Sequence, residues 1–211
     1  TYTNARLGAN AKASDLAPTI QPLIGEIEET RVGQRRTWAK EIDAQALCDS
    51  LNVDLDDLVV EFADNLLFII KDRRSPRVTR YLQQSPYSIV RMALRSEVEA
   101  VRSWPESLKT EPEEALSSFG PRLEALLAKA DAALAAHRTA ESARADYRVR
   151  VINPLIDKLN DARLKLYAQL ITRADEQKLG KYWADGFFKT TSRRTSDEPE
   201  APEDPVAADA G

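Results

Sequence analysis

The chain has 211 residues, 43% of them hydrophobic and 30% charged, with a formal net charge of −4; that is enough for one domain-sized core, in the proportions of an amphipathic helical protein. One cysteine, Cys48, and one histidine, His137, exclude an intramolecular disulfide and a four-ligand Cys/His zinc site. Apolar residues rarely alternate at period two, which argues against a sheet, and neither a basic-then-apolar leader nor a transmembrane run is visible, so a cytoplasmic location is the default expectation.

Residues 1–14 are small and polar and are expected to form a flexible N-terminal arm. A first helix should open near Asp15–Pro18, since proline is tolerated in a first turn, and run to about Ser50. Its stripe is Leu16, Ile20, Leu23, Ile24 and Ile27, resuming with Trp38, Ile42, Ala46 and Leu47. Between these parts lies a polar waist containing Gly33, which costs about 1 kcal/mol against alanine in a helix. One long helix is the favoured reading over two segments bent at Gly33.

After a short link, LNV at 51–53, comes the stretch around which the chain is organised, DLDDLVVEFADNLLFIIK from Asp54 to Lys71. Leu55, Leu58, Val59, Phe62, Leu66, Ile69 and Ile70 share one helical face, so Phe62 and Ile69 are expected in the core. Asp54 is the expected N-cap, and Glu61, Asp64 and Asn65 exclude a bilayer span. The helix should stop near Ser75–Pro76. A turn then leads to Ser85–Pro86, the N-cap and first residue of a helix running to about Ser103.

Residues 104–120 read as a corner with a short helical piece, Ser103/Glu106 and Thr110/Glu113 both having capping-box spacing. A third long helix starts at Pro121 and a fourth at Asn153–Pro154; the alternative is a single helix kinked at Pro154. Leu179–Gly180 marks a stop, followed by the aromatic cluster Tyr182, Trp183, Phe187 and Phe188. Residues 195–211 carry six acids and no Lys or Arg, so residues 191–211 are expected to be a disordered acidic Pro-rich tail. Residues 15–190 are expected to form the helical domain. The predicted fold is all-α, an elongated antiparallel bundle of about four long helices with a broken second arm. One internal echo is present: IQPLIGEIEETR (20–31) aligns without gaps on INPLIDKLNDAR (152–163).

No pattern in the chain demands catalysis. The Glu-x-x-His pair of di-metal bundles is absent, because the residue three before His137 is Leu134. No glycine-rich phosphate cradle or nucleophile elbow is present. Neither a metal, a cofactor nor an enzymatic activity is therefore expected. The main charge feature is arginine-rich: Lys71, Arg73, Arg74, Arg77, Arg80, Arg91, Arg95 and Arg102 face only Asp72, Glu97 and Glu99 within 71–102. Arg73, Arg74, Arg77, Arg80, Arg91 and Arg95 are the candidates for binding an anionic partner, and pairing with acids on neighbouring helices is the competing reading. Tyr182, Trp183, Phe187 and Phe188 are the candidates for a protein contact. The leading functional expectation is a non-enzymatic interaction or scaffold protein, with a protein partner or self-association. The alternatives are nucleic-acid binding through 71–102 and a small-molecule sensor with a pocket near Arg31 and Arg35.

Overall fold

The computed structural model describes residues 2–189. Among them the fold is all-α, without a strand. The helices are α1 (Tyr2–Gly8), α2 (Ala17–Ile70), α3 (Pro76–Tyr81), α4 (Pro86–Ile89), α5 (Leu94–Val101), α6 (Trp104–Leu108), α7 (Glu114–Ser117), α8 (Phe119–Tyr147) and α9 (Asn153–Glu176). A π-helical turn, Arg148–Ile152, joins α8 to α9 without a break. The chain divides into two compact units, a larger one of Gly25–Lys158 and a smaller one drawn from Thr1–Ile24 and Leu159–Gly211.

α2 has 54 residues. The link expected at 51–53 does not exist; the helix runs through it, and Asp54 is an interior residue, not an N-cap. The reason is in the stripe. Cys48, Leu51, Leu55, Leu58, Phe62 and Leu66 follow one another at three- and four-residue steps and are all buried, so the apolar face is continuous. LNV contains neither glycine nor proline to interrupt it. α2 ends where Lys71 adopts a left-handed φ of 56°, a common helix stop.

The core of the larger unit is built on Phe62. Its ring lies 5.1 Å from Tyr81 on α3, 5.1 Å from Trp104 on α6 and 5.5 Å from Phe119 on α8. These tilted and edge-to-face arrangements add to the area each ring removes from water. Ile69 is partly buried against the same cluster. Segment 76–84, expected to be a turn, instead forms α3 and buries Val78 and Tyr81. Ser75 and Ser85 each cap a helix, their side chains accepting from the backbone N–H groups of Arg77 and Ser88. The helix expected from Pro86 to Ser103 is divided into α4 and α5.

α8 runs antiparallel to α2 within the larger unit. Arg122 meets Glu61 at 2.6 Å, Arg144 meets Glu41 at 2.9 Å, and Lys158 meets Glu26. Partner numbers fall along α2 as they rise along α8 and the start of α9. Glu26 and Lys158 are also equivalent positions of the internal echo. The new start expected at Asn153–Pro154 is not taken. Proline lacks an N–H and crowds the carbonyl four residues earlier; the π turn accommodates it, with the Asn153 N–H donating to the Arg148 carbonyl in the wider spacing of a π bulge.

In the smaller unit the N-terminal segment is not a loose arm. Residues 2–8 form α1, and Leu7 and Ala13 are buried with Leu16, Leu166, Leu170, Ala184 and Phe187. Leu7, flanked by polar and small residues, is the one large apolar anchor that the segment offers. The tail expected at 191–211 lies outside the described residues.

Because three elements meet at the Phe62 ring, Phe62→Ala should lower stability by about 3–5 kcal/mol. Urea unfolding followed by circular dichroism reads this directly. A loss below about 1 kcal/mol, the size of a surface change, would mean that Phe62 is not at the centre of the core.

Candidate functional site

The arginine stretch folds into three different situations. Arg77 is tied down: its guanidinium donates to Glu111 at 2.5 Å and 3.2 Å and also to Glu113. Glu111 is buried and accepts in addition from the Tyr81 hydroxyl at 2.8 Å, with Arg80 at 3.7 Å. Burial pushes the Tyr81 hydroxyl up, and the Glu111 carboxylate adds to the effect. The hydrogen bonds from Arg77 pull the Glu113 carboxyl down. This network pins α3 to the segment before α7.

Arg91 lies over the Tyr87 ring, 5.2 Å from its centroid, and donates to its hydroxyl at 3.1 Å. Arg73, Arg74 and Arg95 are exposed. Among the described residues these three and Arg91 have no carboxylate within ion-pair distance. Outside the candidate set, Arg102 is held by Glu99 and Asp131.

A buried acidic pair went unrecognised in the sequence. Glu97 on α5 is fully buried, and both of its carboxyl oxygens lack a protein donor. It faces Asp56 on α2, whose Oδ2 accepts from Asn52 at 3.3 Å while its Oδ1 has no partner. Burial, and then the charge of Asp56, push Glu97 up to about 8, so at neutral pH it is a carboxylic acid beside the Asp56 carboxyl. The signal was present: Leu94, Val98 and Val101 are buried on α5, and Glu97 lies on the same face, three residues after Leu94.

Beside this pair a groove of about 370 Å³ is lined by Cys48, Asn52, Arg95 and His137, among others. Burial pushes the Cys48 thiol up, the opposite of what a nucleophilic cysteine requires. Among the described residues no group of three or more His, Cys, Asp or Glu side chains could hold a metal ion, and no helix is long and apolar enough to cross a membrane.

At the polar waist, Gly33 has a packing role. A Cβ there would overlap the Tyr147 hydroxyl, which crosses α2 at this point and donates to the Thr30 carbonyl at 3.2 Å. An open groove of about 610 Å³ next to Tyr147 is lined by Thr37, Glu41, Arg144 and Ile152, among others. Arg31 and Arg35, the residues expected beside a sensor pocket, are exposed.

The C-terminal aromatics are divided in their use. Phe187 is buried, with Trp183 at 4.8 Å, and Phe188 packs on Tyr167 at 5.7 Å. Tyr182 remains exposed, stacked only with Lys181. The chain matches no protein-family model, no curated protein and no solved structure.

The unfolded chain loses the Glu97 proton near the ordinary 4.5 and the folded chain near 8, so between those values the folded state carries more protons. This group's contribution to stability therefore falls as pH rises through that window. Glu97→Gln, which keeps a neutral donor toward Asp56, should melt higher than wild type at pH 8, and the gap should narrow as pH falls. Melting curves of both proteins across the window check this; a gap that stays constant or widens on acidification would show that Glu97 is already ionised in the fold.

Proposed function

We propose that the chain is a non-enzymatic interaction protein that works through the outer face of α2. One observation carries this reading. Trp38, Ile42, Val53 and Val60 are 51%, 50%, 57% and 43% exposed, although they sit on a helix whose opposite face fills the core. Scattered single apolar residues need no explanation, but a row along one helix marks a surface suited to another helix. The buried Glu97–Asp56 pair and the buried thiol of Cys48 carry no comparable argument for catalysis.

The test is co-purification from extracts of the native cells with wild-type and Ile42→Asp/Val53→Asp baits. The proteins enriched by wild type should be lost with the variant while its helix content and melting are retained. An unchanged set would overturn the reading.

A second reading, nucleic-acid binding, draws on the exposed Arg73, Arg74, Arg91 and Arg95. The engagement of Arg77 and Arg80 with Glu111 weighs against it. It requires binding to DNA or RNA that weakens steeply with salt and is reduced by Arg73→Glu/Arg74→Glu. No binding at low ionic strength would remove it.

A further inference from the structure

We infer that the occupant of the outer face of α2 is a second copy of the chain, packed antiparallel on the same face about a two-fold axis near residues 46–49. The inference rests on the interaction reading above and adds the identity of the partner.

The seam is defined by spacing. Ile42, Ala46, Asp49, Val53, Asp57 and Val60 follow at steps of three and four residues and are all exposed, so they form one row along the helix. Ala46, near the middle, has no bulk to hold a second helix away. Placing the axis there sets Ile42 against Val53 of the other copy, and the relation repeats in reverse. This is how an isologous two-fold contact must be built.

Charge selects the direction. Residues 31–40 carry Arg31, Arg35, Arg36 and Lys40 and no acid, while residues 41–64 carry eight acids and no Lys or Arg. A parallel pairing would set base on base and acid on acid. The antiparallel one brings Arg31 and Arg35 opposite the region of Asp57 and Asp64, twice per dimer. Among the described residues, Arg35, Asp57 and Asp64 have no oppositely charged side chain within ion-pair distance, and Arg31 has only Glu28, one turn away at 3.5 Å. The face therefore carries both halves of its own complement. A surface selected for an unrelated partner has no need of that, and exposed charge pairs fix partner and direction more than they add affinity.

The experiment uses the full chain and two charge variants: Arg31→Glu/Arg35→Glu, which makes both ends of the seam acidic, and Asp57→Arg/Asp64→Arg, which makes both ends basic. Masses are read by sedimentation equilibrium and fold by circular dichroism. Wild type should show twice the chain mass of 23.6 kDa. Each variant alone should fall to the single-chain mass with unchanged helix content, and an equimolar mixture should return to the doubled mass, because each variant then meets its complement. A misfolded variant would not be rescued by mixing. The inference is overturned if wild type stays at the single-chain mass up to about 100 μM, below the affinity expected of a specific interface, or if either variant alone remains doubled. Failure here with loss of partners from the Ile42→Asp/Val53→Asp bait would remove the second copy and leave the interaction reading standing.

Discussion

The ring of Phe62 and the three aromatic groups around it are what the larger unit depends on. A 54-residue helix has little tertiary reason to hold its place unless its apolar face is covered. Here the cover comes from α3, α6 and α8, each contributing one aromatic side chain to the same contact. Each short helix between Ile70 and Phe119 buries at least one residue, and α3 and α6 bring Tyr81 and Trp104 to that ring. Arg77 and Glu111 then fix the turns, and burial of Glu111 is tolerable because Tyr81 and Arg77 satisfy its oxygens.

Away from Phe62, register is kept by smaller devices. Gly33 is one of them. In an exposed helix it would only weaken the structure, but here the missing side chain lets Tyr147 cross α2 and bond to the Thr30 carbonyl. Pro154 is another local problem resolved inside a helix: the π turn before it absorbs the lost hydrogen bond, so that α8 and α9 continue as one. In the smaller unit, Leu7, Leu170 and Phe187 bring together segments from both ends of the chain.

Much of this was legible in the sequence where a single physical rule decided the outcome. The three- and four-residue spacing placed Phe62 in the core, and the Ser85–Pro86 pair marked a helix start; Ser75–Pro76, read only as the stop of the central helix, opens α3 as well. Reading failed where two rules competed. At Asn153–Pro154 the cap signal argued for a new helix, yet no glycine marks a turn there and the helix runs on through a π turn. At 51–53 a link was read into residues that break nothing. Glu97 was missed although its place three residues after Leu94 puts it on the buried face of α5. Of the arginine candidates, Arg77 and Arg80 have acidic partners more than thirty residues away along the chain, a pairing that spacing alone cannot reveal.

In the proposed reading α2 is one rod with two jobs: its inward face holds the core and its outward face receives another helix. That claim requires the rod to be continuous through the polar waist and through 51–53. Amide hydrogen exchange along Ala17–Ile70 tests it most directly, since a hydrogen-bonded helix interior exchanges far more slowly than a link. Amides should be protected without interruption from Gly33 through Asp54. Rapid exchange confined to 51–53, or a fast gap at Gly33, would show two helices where one rod is required.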